Sequence, residues 1–202
     1  EDFGKRMEKG RFLREDVEKI TAGISDDEEK ARAIYAFVQE EFKVDNDFDE
    51  DNYKKIFEER RGYSSDINFI LIMMLKEAGI ETEPVVISTR KHGLLHPHYP
   101  SFRNFNYILA LATIGEETFL LDASDKYLPF NTIGVKCLND RGLVVSETNP
   151  RWVNLKPSFT NMRVISAQAK MSADGKLTAD VKVDRKGYLA MEFRRNRDDE
   201  ND

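Results

Sequence analysis

Seven consecutive apolar residues, Phe69 to Leu75, sit inside a stretch from Ile67 to Ala78. A helix that is apolar on every side belongs in the centre of a fold, so this segment is expected to be the buried core helix. Gly79 suits the left-handed residue that ends such a helix. Its start, Arg61-Gly62-Tyr63-Ser64-Ser65-Asp66, is polar and glycine-led, so the amino end is expected to emerge at a surface or cleft.

At 202 residues the chain suits one domain, or one domain and part of a second. The net charge is -6, with 31 basic and 37 acidic residues interleaved, which argues against a nucleic-acid partner that would need a basic face. No run of about 18 apolar residues is present, so no membrane insertion is expected. The chain begins at Glu1 without a leader pattern and reads as a piece of something longer. Cys137 is the single cysteine, which rules out an internal disulfide and a cysteine-cluster metal site. It follows Lys136 in a late loop and is read as structural. The closing run, Arg194-Arg195-Asn196-Arg197 and then Asp198 to Asp202, reads as a solvated end.

Along the chain, Phe12, Leu13, Val17 and Ile20 have helical spacing and predict a surface helix up to about Thr21. Ser25 and Glu28 read as a capping box. Behind them Ala31, Ile34, Tyr35, Val38 and Phe42 form the core-facing stripe of a second helix. The Asp45–Asp51 loop alternates acids but lacks the central glycine and terminal glutamate of an EF-hand, so it reads as solvated. A short helix is expected near Tyr53 to Glu59. From Pro84 the pattern becomes strands: Val85-Val86-Ile87, Phe105 to Ala112 and Thr118 to Leu121, with Gly115 in the hairpin between the last two. All three histidines, His92, His96 and His98, fall in the loop from Lys91 to Arg103. They are read as ordinary loop residues, and no metal or other cofactor is expected.

Beyond Trp152 the texture changes. Leu177, Ala179, Val181 and Val183 alternate with polar residues, and Asp174-Gly175 marks a hairpin turn after Arg163 to Met171. Gly187 then precedes an expected third strand, Tyr188 to Phe193. Residues 156–202 therefore read as a β-hairpin appendage, or the start of a following β domain, attached to a core over 1–155.

The order of a buried helix opened by Gly62-Tyr63-Ser64, then strands, then Asn106-Tyr107-Ile108, then Leu121-Asp122 resembles the transglutaminase-like branch of the papain-like cysteine hydrolases. Val86-Ile87-Ser88-Thr89-Arg90, Phe105-Asn106-Tyr107, Leu120-Leu121-Asp122-Ala123 and Lys136-Cys137-Leu138-Asn139 are similar to modules of large bacterial envelope proteins. The resemblance covers about Ser25 to Asp122. It implies an α+β fold: N-terminal helices, a buried central helix packed on an antiparallel sheet, and here a C-terminal β appendage. It also implies a periplasmic or cell-surface location. In that family a Gly-x-Cys opens the central helix, a histidine follows on a strand, and an aspartate ends the next strand. Carried over by position, the cysteine falls on Ser64, the histidine on Asn106 and the carboxylate on Asp122.

Two of those three positions lack the required chemistry. The mechanism needs a thiolate at a helix amino end, an imidazole to move its proton, and a carboxylate to hold the imidazole's tautomer. A serine hydroxyl depends on a base, and an asparagine amide accepts no proton at neutral pH. The expectation is a non-catalytic module of a larger bacterial protein. Tyr63 and Tyr107, beside the lost positions, are expected to line a cleft for a peptide or glycan, or else to fill it in a spacer packed on other domains of the same chain. The alternative is an active hydrolase or acyltransferase rebuilt around Ser64 and a loop histidine.

Overall fold

The computed structural model describes residues 10–95, 102–157 and 159–199. The chain divides into two compact units, Glu1–Pro157 and Ser158–Asp202.

In the first unit a short 3-10 turn, Gly10–Leu13, leads into α1 (Arg14–Ile20) and α2 (Asp27–Glu41). The side chain of Asp26 caps α2 by accepting from the Glu29 backbone amide at 2.9 Å. This replaces the expected Ser25/Glu28 box: the cap lies one residue later, where a carboxylate also faces the positive end of the helix dipole. The face of α2 formed by Ala31, Ile34, Tyr35 and Val38 is buried, as the stripe requires. Next come β1 (Lys43–Val44), α3 (Tyr53–Glu59) and β2 (Arg61–Gly62). Parallel pairing of Lys43 with Arg61 and of Val44 with Gly62 ties the strand before the central helix to the end of α2.

That central helix, α4, runs Ser64–Glu77, and every residue from Ile67 to Leu75 is buried. Full burial of each aliphatic side chain contributes about 1.5–3 kcal/mol, so this segment makes the largest apolar contribution of any single element of the unit. One flank packs against the other helices through Leu13, Val17, Ile34, Val38 and Ile56. The other meets Ala110, Ala112, Phe119 and Leu121 of a sheet.

The sheet contains β3 (Glu81–Ile87), β4 (Tyr107–Ile114), β5 (Glu117–Leu121), β6 (Arg141–Val144) and β7 (Arg151–Asn154). Its order is β5-β4-β3-β6-β7, and every pairing is antiparallel. Alternate residues of β4 serve opposite faces. Ala110 and Ala112 join the helical cluster. Tyr107, Leu109 and Leu111 join a second cluster with Val85, Ile87, Ile133, Cys137, Val144 and Leu155. An apolar strand buried on both sides is the expected signature of a central position in the sheet. The fold is α+β, with a buried central helix packed on an antiparallel sheet, as the resemblance implied.

In the second unit, β8 (Met162–Met171) and β9 (Leu177–Lys186) form a two-stranded antiparallel ribbon with Gly175 in the turn at φ 81°. The expected third strand is absent. Tyr188–Asp199 is instead a helix, α5. Gly187 takes φ 70°, which ends the strand. Leu189, Ala190, Met191, Glu192 and the arginines behind them are good helix formers, so local propensity decides the segment.

Candidate functional site

Ser64 is the first residue of α4, and its N-cap is Tyr63 in extended conformation. Ser64 is therefore not the cap that a serine at a helix start suggests. Asp66 takes that part: its carboxylate accepts from the Tyr63 backbone amide at 2.9 Å, and it lies where the helix dipole favours an anion. Gly62 lets the incoming chain pass close by, since a Cβ there would lie 3.2 Å from both Asp66 Cβ and Ile56 Cγ2. The Ser64 hydroxyl makes no hydrogen bond among the described residues.

One turn further along the same face of α4 stands Asn68, which is fully buried. Its amide nitrogen donates to the Ile108 carbonyl at 2.9 Å and to Asp122 Oδ1 at 3.0 Å. Its oxygen accepts from the Ala123 backbone amide at 2.9 Å. Asn68 thus joins the central helix, β4 and the end of β5. Sequence reasoning missed it, although a lone asparagine beside seven apolar residues was a visible signal, because a buried amide must find partners.

Asp122, directly after β5, has no exposed surface. Besides Asn68, it accepts from the Ser124 backbone amide at 3.2 Å and from Ser124 Oγ at 2.7 Å. The Tyr107 hydroxyl lies 3.1 and 3.0 Å from its two oxygens, and 2.6 Å from Ser124 Oγ. Each of the two hydroxyls thus has a carboxylate oxygen within donating distance. Tyr35 donates to the Asp122 carbonyl, and Gln39 extends the network to the carbonyls of Asp125 and Leu128.

Asn106, the residue aligned with the histidine by spacing, does not reach Asp122. Its oxygen accepts from the Thr89 amide at 2.8 Å, and its nitrogen donates to Thr89 Oγ1 at 2.9 Å. It fastens the end of β3 to the start of β4. Adjacent strand residues face opposite ways, so with Tyr107 turned to Asp122 its neighbour cannot be. Tyr107 is one of the two rings expected beside the cleft. It is buried, with the Lys136 ammonium 4.2 Å from its ring centroid. Tyr63 is half-buried.

The electrostatics follow from burial. Desolvation pushes the Tyr107 phenol far above its ordinary range, and the neighbouring Asp122 charge adds to this. The Cys137 thiol is raised by the same two causes in the same order, so it stays a protonated, buried thiol. His92 places Nε2 at 3.0 Å from the Arg103 carbonyl oxygen. His96 and His98 lie outside the described residues. Among the described residues no cluster of three or more histidine, cysteine or acidic side chains could hold a metal ion. None of the described helices is long and apolar enough to cross a membrane.

Chemically, the cluster is a carboxylate saturated by neutral donors at the end of a buried helix. The side-chain donors on that carboxylate are an amide, a phenol and a serine, with no imidazole among them in the described residues.

Residues 14–109 match the Transglutaminase-like superfamily. No curated protein matches the sequence. Among solved structures, the chain is similar to a candidate protease from Parabacteroides distasonis, at 17% identity with a TM-score of 0.56 over 76% of this chain and 29% of that one. A candidate cysteine protease from Cytophaga hutchinsonii is similar at 14% identity, with a TM-score of 0.48 over 90% of this chain and 52% of that one. The chain therefore spans under a third of the first protein and about half of the second. Residues 14–109, which hold the central helix and the first strands of the sheet, thus form a transglutaminase-like core.

Proposed function

We propose that the chain is a non-catalytic transglutaminase-like domain that serves as a binding or structural module of a larger bacterial protein, exported to the periplasm or cell surface. The observation that carries the reading is the contact of Tyr107 with Asp122. The oxygens that would orient an imidazole are filled by a phenol, a serine and an asparagine amide. A phenol held above its ordinary range cannot take a proton from Ser64 near neutral pH. With serine in the nucleophile position and no imidazole on the carboxylate, nearly all of a triad's rate is lost. What remains is the small part supplied by binding and oxyanion contacts.

The helix end points the same way. Asp66 already supplies negative charge at the start of α4, where a catalytic thiolate would be stabilised. If the module binds, the half-buried Tyr63 is the aromatic surface it offers to a peptide or glycan.

The test is exposure of the protein to a serine-directed phosphonate probe at neutral pH, followed by mass spectrometry. The expected result is no modification of Ser64. Stoichiometric labelling that disappears in a His96→Ala or His98→Ala variant would establish the rebuilt active site instead.

A further inference from the structure

Acidic residues are frequent in this chain, 37 in 202, yet none occurs between Glu83 and Glu116. That stretch carries Arg90, Lys91 and Arg103, and a second acid-free stretch, between Asp125 and Asp140, carries Lys136. The fold brings the two together at one end of the five-stranded sheet. The Arg90 amide donates to the Lys136 carbonyl at 2.9 Å, and Asn139 Nδ2 donates to the carbonyls of Ser88 and Gly93 at 3.0 and 2.8 Å. His92 Nε2, 3.0 Å from the Arg103 carbonyl oxygen, ties in the segment before β4. The flanking acids stand at the opposite end of the sheet, where Glu81 pairs with Thr113 and the Gly115 hairpin follows.

Arg90, Lys91, Arg103 and Lys136 are all exposed, and none makes an ion pair among the described residues. The neighbouring acids are already engaged. Asp140 pairs with Arg141 at 2.9 Å, Asp125 accepts from the Tyr127 amide at 3.1 Å, and Asp122 has no exposed surface. Apolar surface coincides with the charge. Leu94, 77% exposed, and Val135, 44% exposed, are the two large hydrophobics that the first unit leaves exposed among the described residues. Each adjoins one of the loop ties, Leu94 after Gly93 and Val135 before Lys136.

One kind of occupant meets both demands. An acidic glycan or a nucleic acid would neutralise the cations but brings no aliphatic side chains to Leu94 and Val135. The chain's net charge of -6 also disfavours a long polyanion. A second copy offers Phe48 in its acidic loop, but that ring is half-buried, with the Arg61 guanidinium 4.4 Å from its centroid. The second unit, taken whole, carries more basic than acidic residues and so brings no complementary charge.

We infer that this end of the sheet binds an acidic peptide carrying aliphatic side chains. Arg90, Lys91, Arg103 and Lys136 take its carboxylates, and Leu94 and Val135 take its aliphatic groups. This deepens the proposed function and rests on its binding reading. Guanidinium groups meet carboxylates through two parallel hydrogen bonds, and the Lys136 ammonium is already placed by its contact with the Tyr107 ring. Exposed ion pairs are individually weak and screened by salt, so the affinity comes from their number.

Fluorescence anisotropy at low salt, with a fluorescein-labelled Glu-Leu-Glu-Val-Glu-Leu-Glu peptide, tests it. The expected result is saturable binding to the 202-residue chain, weakened at least ~10-fold in Arg90→Glu/Lys136→Glu. Leu94→Ser/Val135→Ser, or serine in place of the peptide's aliphatic residues, should weaken it at least ~3-fold. Lys19→Glu, on α1, should leave it unchanged. All the substituted side chains are exposed, and circular dichroism checks that each variant keeps the fold. Absence of saturable binding overturns the inference, as does equal binding by Arg90→Glu/Lys136→Glu and the parent chain. Tighter binding of heparin or poly-uridylate than of the peptide overturns the peptide assignment. Failed peptide binding with Ser64 unlabelled by the phosphonate leaves the non-catalytic reading intact and overturns only this assignment. Phosphonate labelling of Ser64 would defeat that reading and leave the peptide result untouched.

Discussion

Tyr107 holds its hydroxyl 3.1 and 3.0 Å from the two oxygens of Asp122, joining the first residue of β4 to the residue after β5. The contact is made in the interior, beneath Lys136, and Ser124 and Asn68 complete it. A carboxylate in this setting holds the central helix, two strands and the following turn in one arrangement.

The first prediction concerns stability. Asp122→Ala removes the acceptor that three donors share: the Asn68 amide keeps only the Ile108 carbonyl, and the hydroxyls of Tyr107 and Ser124 keep only each other. A loss of about 3 kcal/mol or more is expected. Tyr107→Phe removes one donor and leaves the others in place, for a loss of about 1.5 kcal/mol. Urea unfolding of both variants checks the order, and a Tyr107→Phe loss as large as that of Asp122→Ala would contradict this network.

Alkaline pH should act through the same groups. Burial, with the Asp122 charge adding, raises the Tyr107, Tyr35 and Cys137 pKa values above their ordinary values of 10, 10 and 9. With the folded values raised, the contribution to stability is complete below the unfolded values and declines as pH rises beyond them. Unfolding free energy should therefore fall from about pH 9 upward, with Cys137 acting first. The tyrosinate absorbance of Tyr35 and Tyr107 should appear only with loss of structure. Full ionisation of every tyrosine near pH 10 in a chain that keeps its circular dichroism would refute the assignment.

Gly142 tests packing on the far face of the sheet. A Cβ at this position would lie 2.6 Å from Val85 Cγ1 and 2.7 Å from Ile87 Cγ2. Both neighbours are fully buried and β-branched, so neither can swing away cheaply. Gly142→Ala should cost about 1–3 kcal/mol, seen as a lower urea midpoint with the slope unchanged. An unaltered midpoint would mean that β6 sits further from β3.

What the sequence revealed and concealed follows from how far each signal reaches. The Phe69–Leu75 run lies in a stretch from Ile67 to Ala78, too long for a usual strand and closed by Gly79, and the structure has the buried helix this predicts. The core strands β3 to β5 likewise show as short runs of β-favouring residues between turn signals. The α2 cap was displaced by one residue because Ser25, Asp26 and Asp27 are all competent caps, and only the backbone turn chooses between them. Tyr188–Phe193 is helix where a strand is expected, because strand and helix patterns coincide over so short a run. The site is the most instructive case. Asn106 and Tyr107 are neighbours, and a shift of one residue in a strand exchanges its faces. The register pairs Ala110 with Leu121, so Leu109 and Tyr107 share the face towards which Asp122 turns. Spacing alone could not make that choice.

The register also predicts how an imidazole could be returned to the site. A histidine in place of Tyr107 would stand against Asp122, whereas one in place of Asn106 would face Thr89. Ser64→Cys supplies a thiol at the start of α4, and an imidazolium neighbour lowers a thiol from about 8.5 into the range of roughly 3.5–7.5. The Ser64→Cys/Tyr107→His variant should therefore react with iodoacetamide at pH 6 about 10-fold faster, or more, than Ser64→Cys alone. The Ser64→Cys/Asn106→His variant should match the single variant. Adding Asp122→Asn to the first pair should slow it again, since the imidazolium loses its carboxylate. Native Cys137, buried and protonated, gives no competing signal while the fold holds. Acceleration by Asn106→His and not by Tyr107→His would place the missing base where simple spacing puts it, and would mean that the Tyr107–Asp122 contact is structural packing unrelated to the ancestral triad.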